Sequence, residues 1–224
     1  MLMEYPDNQS LVRGMVDCIA SNLANAISTQ GHAVLAVSGG RSPISLFHAL
    51  SETPIDWPRI LVTLVDERFV PTDHGDSNEN LVRRHLLRAC AAKASFRGLV
   101  THPGDLMHCV LQANVQAQPI TLAVLGMGED GHTASLFPGA PELPLGLDLH
   151  NPNAYMAVTP PTAPHLRISL TLAALLKARH LLVALSGQRK REVFDQACLA
   201  PTQSLPISLL IHQTLTPFDA YWTR

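Results

Sequence analysis

A repeated succession of short apolar run, polar or glycine-bearing turn and amphipathic stretch constrains this chain more than any other feature of its sequence. Ala33-Val34-Leu35-Ala36-Val37 is apolar without interruption, as a strand buried on both faces of a parallel sheet must be. It stops at Ser38-Gly39-Gly40, after which Ser42-Pro43 marks a helix start that Leu46, Phe47 and Leu50 continue. Upstream, Leu11, Met15, Cys18, Ile19, Leu23, Ala26 and Ile27 recur at three- and four-residue steps, which places them on one face of a long first helix ending at Gly31. The same reading predicts strands at 60–65, 120–125, 155–158, 180–185 and 207–210, with a short one near Leu99. It predicts helices at 77–91, 105–117, 170–178 and 190–199, and a Pro-, Gly- and Asn-rich loop at 138–164. Such alternation implies an α/β fold, a mostly parallel sheet flanked by helices, in one domain spanning residues 1–224. Ligands of such a sheet lie beyond the carboxyl ends of its strands.

Composition narrows the function classes. With 46% hydrophobic and 15% charged residues the chain is of ordinary globular type. Sixteen Lys and Arg against eighteen Asp and Glu leave a formal charge of -2, so there is no broad attraction to nucleic acid or anionic lipid, and any anion must be bound locally. Cys18, Cys90, Cys109 and Cys198 are scattered, without the paired spacing of a disulfide scaffold or zinc knuckle. The N-terminal residues lack a basic region followed by an apolar one, and the apolar stretch 170–185 is broken by Lys177, Arg179 and His180. A cytoplasmic chain with reduced thiols and no membrane span is expected.

Five segments fall where strands end. Ser38-Gly39-Gly40-Arg41 suits a phosphate, because backbone N–H groups of a glycine turn before a helix approach an anion closely; the plainer reading is that any strand-to-helix turn favours glycine. Ala36-Val37-Ser38-Gly39-Gly40 lacks the first glycine of a nucleophile elbow. Asp66-Glu67-Arg68 directly follows an apolar strand, so at least one of its charges should face the crevice, to orient hydroxyls, to steer a base or to form a structural ion pair. Ser77-Asn78 reads as a helix cap, with ligand contact as the alternative.

Gly126, Gly128 and Gly131 match the spacing of a dinucleotide fingerprint, but Pro138, Pro141 and Pro144 forbid the long helix such a motif must open. Within this segment Asp130-Gly131-His132 stands out, since an adjacent carboxylate can orient an imidazole that serves as general base. The chain has eleven histidines, and only position singles out His132. No metal-ligand spacing occurs, so no metal is expected. Arg167 and Lys190 each read singly as solvated charges near helix starts. Together with Gly39, Gly40 and Arg41 they converge on one sheet edge and could hold one phosphate.

In their order and wording these segments resemble the 6-phosphogluconolactonases over nearly the whole chain. The resemblance rests on Ser38-Gly39-Gly40, Asp66-Glu67-Arg68-Phe69-Val70-Pro71, Ser77-Asn78, Leu125 through Gly139, Arg167-Ile168-Ser169 and 187–190, with Arg41 departing from the usual Ser or Thr. It implies the sugar-isomerase and deaminase type of α/β fold, and cofactor-free hydrolysis of 6-phospho-D-glucono-1,5-lactone in the pentose phosphate pathway. By the same resemblance His132 is the base, Asp130 or Asp66 orients the imidazole or the sugar, and Arg68 stabilises the oxyanion or binds hydroxyls. Ser38, Gly39, Gly40, Arg41, Arg167 and Lys190 then hold the 6-phosphate. The partner is a small phosphosugar lactone, the assembly a monomer or homodimer. Glucosamine-6-phosphate deaminases share the fold and an Asp-Gly-His turn but typically continue differently after that His, where this chain has Thr133-Ala134-Ser135-Leu136-Phe137. A non-catalytic sugar-phosphate-binding module is the further alternative.

Overall fold

The structure, a computed structural model, describes residues 1–40 and 42–224. Strand β1 (Leu2–Tyr5) leads into helix α1 (Asn8–Gln30), which Asp7 caps by accepting the Ser10 N–H at 2.7 Å. Leu11, Met15, Ile19, Leu23 and Ala26 form its buried face, as their spacing requires, and Gly31 ends it in the left-handed conformation, φ 81°. The chain continues through β2 (Ala33–Val37), α2 (Ile44–Ser51), β3 (Ile60–Leu64), β4 (Asp66–Arg68), α3 (Asn78–His85), β5 (Ser95–Arg97) and α4 (Leu106–Val115). Then follow β6 (Leu122–Gly126), α5 (Leu143–Leu147), β7 (Tyr155–Val158), β8 (Arg167–Leu170), α6 (Leu172–Leu175), β9 (Leu181–Ser186), α7 (Gln188–Ala197), α8 (Ile207–His212) and β10 (Phe218–Thr223).

Seven strands form one sheet in the order β1-β10-β9-β6-β2-β3-β5, and every pairing in it is parallel. All five residues of β2, near its centre, are buried, which accounts for an uninterrupted apolar run there. A second, antiparallel sheet, β4-β8-β7, packs beside the first. The two are joined where the Leu170 N–H donates to the Val65 carbonyl at 2.9 Å and the buried Tyr155 hydroxyl donates to the Leu64 carbonyl at 3.0 Å. Burial pushes the Tyr155 phenol up to about 12, so it acts there only as a neutral donor.

Several elements differ from the sequence expectation. Residues 207–210 are the start of α8, not a strand, because Pro206 at φ -55° already sets a helical turn and a four-residue apolar run does not distinguish the two states. The helix expected over 77–91 ends at His85 and resumes only as a 3-10 turn over Ala89–Lys93. Of 170–178, Leu170 completes β8 and only Leu172–Leu175 is helical. The strand near Leu99 lies at Ser95–Arg97, and the loop expected over 138–164 contains α5. β1 and β10 carry no sequence signal of the kind used above. β1 is a half-exposed edge strand, and β10 carries Asp219 within it.

Alternation within β4 sorts its three charges. Asp66 and Arg68 share one face and Glu67 takes the other. Only 1% exposed, Glu67 accepts the N–H groups of Arg68, Asn78 and Glu79, each at 2.7 Å, and the Ser77 hydroxyl at 3.1 Å. Its carboxylate thus holds the first N–H groups of α3, which have no partner within the helix. Burial pushes its pKa up, against the pull of those same hydrogen bonds. Replacing Glu67 by Gln changes almost no volume but turns an amide NH2 toward backbone donors. We expect Glu67→Gln to lower the free energy of unfolding by about 2–4 kcal/mol, measured by urea denaturation.

Candidate active site

Because the main sheet is parallel, the segments after β2, β6 and β9 emerge at one edge, where they bound a cleft of about 460 Å³. Ser38, Gly39, Gly40, Asp66, Arg68, His132, Arg167 and Lys190 all line it. Arg41 lies outside the described residues. Asp130 is brought in through His132 and does not line the cleft itself.

The turn after β6 is closed by two backbone bonds, Gly131 N–H to the Gly128 carbonyl at 3.1 Å and Gly128 N–H to the His132 carbonyl at 2.9 Å. Glycine at 128 leaves room for the pair, since a Cβ there would overlap Nδ1 of His132 and Oδ1 of Asp130 and displace them. That oxygen accepts both the backbone N–H of His132, at 3.1 Å, and ring Nδ1, at 2.5 Å. With Nδ1 donating, Nε2 is the nitrogen left with its lone pair, and it has no hydrogen-bond partner among the described residues. Burial pushes Asp130 up, but the ring hydrogen bond, the charge of His132 and its backbone N–H together hold the carboxyl below its usual range. The pair therefore keeps its carboxylate at neutral pH. The imidazole packs against Phe137, centroids 4.4 Å apart, a cleft residue that sequence reasoning included only as part of the motif.

Asp66 makes a different contact. Its Oδ2 accepts the Ser135 hydroxyl at 2.6 Å, and the Ser135 N–H in turn donates to the Ser169 hydroxyl on β8. Of the two carboxylates between which the sequence could not choose, Asp130 is the one bonded to the imidazole. Arg68 and Arg167 are directly opposite across β4 and β8, so two guanidinium groups share one face. Among the described residues neither has a carboxylate within ion-pair distance; Arg68 donates instead to the Asp76 carbonyl at 2.6 Å and Arg167 to the Pro164 carbonyl at 3.1 Å. Burial, then the neighbouring Arg68 charge, pulls the Arg167 pKa down from its ordinary value. An arginine remains charged even so.

Among the described residues five helices have eight residues or more. Asp7, Ser77 and Asp105 cap α1, α3 and α4 with side-chain oxygens, whereas α2 and α7 have no side-chain cap among the described residues. Those two open onto the cleft, α2 behind Gly39 and Gly40 and α7 between Ser186 and Lys190. Their free N–H groups and positive dipole ends suit an anion. Lys190 is half-buried; desolvation pulls its pKa down, and Glu129 pulls it back. Three buried polar atoms on cleft residues, Ser38 Oγ, Asn78 Oδ1 and Arg167 Nε, have no hydrogen-bond partner among the described residues. Unmet groups of this kind are costly unless a ligand or water meets them. Asn78 is both cap neighbour and cleft residue: its Nδ2 donates to the Asp66 carbonyl at 2.7 Å, and its Oδ1 lies so close to Gly39 that a Cβ there would clash at 1.8 Å. Asn8, Ala163 and Ser186, also on the cleft wall, carry no sequence signal, since each is brought there by packing alone. No group of three or more His, Cys, Asp or Glu among the described residues could hold a metal ion.

Comparison with known proteins places this geometry in a family. A 6-phosphogluconolactonase of Pseudomonas aeruginosa is 43% identical over 209 residues, covering 91% of this chain and 88% of that one. That of Neisseria meningitidis serogroup B is 42% identical over 217 residues, 93% of each. The crystal structure of a 6-phosphogluconolactonase from Shewanella baltica superposes with a TM-score of 0.94 at 37% identity, covering 100% of this chain and 97% of that one. A monomeric glucosamine-6-phosphate deaminase shares the fold, TM-score 0.79, at only 15% identity. Residues 6–218 match the model of the glucosamine-6-phosphate isomerases/6-phosphogluconolactonase family, and the chain belongs to that family.

Proposed function

We propose that this chain hydrolyses 6-phospho-D-glucono-1,5-lactone to 6-phospho-D-gluconate, the lactone-opening step of the pentose phosphate pathway, without a cofactor. The observation that carries the reading is the Asp130–His132 pair facing the same cleft as two uncapped helix N-termini, Arg167 and Lys190. Base and anion site together match an ester substrate that bears a phosphate. One hydrophobic cluster extending from Leu11 to Trp222 supports treating residues 1–224 as a single catalytic unit.

In this mechanism Nε2 of His132 takes a proton from a water as its oxygen bonds to the lactone carbonyl carbon, and the carbonyl electron pair moves onto oxygen. Asp130 holds the ring in the required tautomer and offsets the imidazolium charge. Arg68 stabilises the developing oxyanion, and Asp66, fixed by Ser135, accepts sugar hydroxyls. Collapse of the tetrahedral intermediate breaks the bond to the ring oxygen, which takes the proton back from His132. The 6-phosphate rests against Gly39, Gly40, Arg167, Lys190 and the first turns of α2 and α7. Arg41 belongs to the same group by sequence position. Anchoring the far end of the substrate presets the attack geometry and lowers its entropic barrier.

The decisive experiment follows freshly generated lactone by NMR against its spontaneous hydrolysis, with glucosamine 6-phosphate as comparison substrate. We expect His132→Ala to lower kcat by about 10²–10⁴, and Asp130→Asn, which reverses the donor that fixes the tautomer, by about 10²–10⁴ as well with KM little changed. An unaltered rate in folded His132→Ala protein refutes the base; no acceleration by wild type, with turnover of glucosamine 6-phosphate, refutes the lactonase. Separately, Arg167→Ala and Lys190→Ala should each raise KM about tenfold or more, the loss of one charge-assisted hydrogen bond. A phosphate role for either residue does not survive an unchanged KM.

A further inference from the structure

Among the described residues no carboxylate pairs with either arginine on the small sheet; each is held by a backbone carbonyl from a different loop. Asp76, in the loop after β4, presents its carbonyl to Nη1 of Arg68 at 2.6 Å. Pro164, in the loop before β8, presents its carbonyl to Nη2 of Arg167 at 3.1 Å. Outside the cleft the same two loops are fastened to each other, because Nε2 of His165 donates to Oδ2 of Asp76 at 3.2 Å. His74 completes the fastening: its Nδ1 accepts the Asp76 N–H at 3.1 Å, and its ring meets that of His165 edge-on, centroids 5.6 Å apart.

Backbone geometry ties this fastening to the arginines. His165 has φ 70°, a left-handed conformation that a non-glycine residue adopts at a cost. The Pro164 carbonyl belongs to the peptide unit whose orientation that dihedral sets, so the strained turn at His165 is what aims the carbonyl at Arg167. One residue on, the Leu166 carbonyl accepts the Phe69 N–H at 2.8 Å, which fixes the other side of the turn to β4. The contacts form a closed ring: Arg68 to Asp76, Asp76 to His165, His165 through Pro164 to Arg167, and Arg167 back to Arg68 across the strand pair. As a surface pair, the contact between Asp76 and His165 adds little stability. Its geometric effect falls on two charges that have no carboxylate partner among the described residues, Arg167 lying also over the Phe137 ring at 5.9 Å.

We propose that Asp76 and His165 are positioning residues, a clasp that orients Arg68 and Arg167 in the cleft. The inference rests on the lactonase reading for its kinetic consequence but not for its structural one. Holding the guanidinium groups by neutral carbonyls leaves their charge for substrate, while the clasp supplies the rigidity that a carboxylate partner would otherwise give.

Four variants test it: His165→Gly, which tolerates φ 70° but loses the donor; His165→Asn, which tolerates the left-handed region and keeps a donor; Asp76→Ala; and the double variant Asp76→Ala/His165→Gly. Two readouts apply, lactone hydrolysis and ¹⁵N NMR of the arginine guanidinium groups in the free protein. We expect His165→Gly and Asp76→Ala each to reduce kcat/KM about tenfold, with KM raised through Arg167 and kcat lowered through Arg68, and the double variant no worse than the poorer single one. The Arg68 and Arg167 guanidinium signals should broaden or average in both, and His165→Asn should restore both readouts. Unchanged guanidinium signals in folded His165→Gly and Asp76→Ala overturn the clasp, as does an additive double variant. If wild type fails to hydrolyse the lactone, the lactonase reading falls and the guanidinium spectra alone decide the clasp. Should His165→Gly fail to fold, the Asp76→Ala spectrum decides in its place.

Discussion

Parallel strands all end on the same edge, and the cleft depends on that constraint. With β9, β6 and β2 adjacent in the sheet, the segments after them are brought together although they lie far apart in sequence. Helices that follow such strands begin at that edge too, so their unpaired N–H groups point where the strands stop. Here no described side chain caps α2 or α7, while the long helices elsewhere satisfy theirs with Asp or Ser side chains. In the proposed function the anion site of the cleft is therefore a property of backbone placement first, to which Arg167 and Lys190 add charge.

The small antiparallel sheet supplies what the parallel one cannot. Its pairing sets Arg68 opposite Arg167 and, by alternation, sends Glu67 the other way to hold the start of α3. Asp66, on the cleft face, is steadied by Ser135 from the β6 turn. One three-residue strand thus contributes two cleft residues and the anchor of the neighbouring helix. Placing two like charges side by side is unfavourable in isolation. Unpaired Ser38 Oγ, Asn78 Oδ1 and Arg167 Nε are unfavourable in the same sense. Local rules of stability are broken where a ligand would repair them, as expected of a functional site.

Much of this was legible from residue order because the relevant signals are local. The β6 turn needs glycine at Gly128 for the approach of His132 and Asp130, and the carboxylate and imidazole lie two residues apart, so their contact is nearly built into the chain. The apolar run of β2 and the periodicity of α1 are likewise decided by neighbours in sequence. Where signals were short they failed: residues 207–210 carry an apolar run too brief to separate strand from helix, and β1 is an edge strand with little to mark it.

By itself the sequence determined the alternating architecture, the Asp130-Gly131-His132 turn and the glycine turn after β2, since each depends on contacts spanning only a few residues. Tertiary structure alone decided that Asp66 bonds Ser135 instead of the imidazole, that Glu67 turns away from the cleft, and that Arg68 and Arg167 stand together held by carbonyls of Asp76 and Pro164. Those outcomes depend on strand register and on loops meeting across some ninety residues of chain. A side chain's partner at such separation is fixed by the packing of the whole sheet, and no local pattern encodes it.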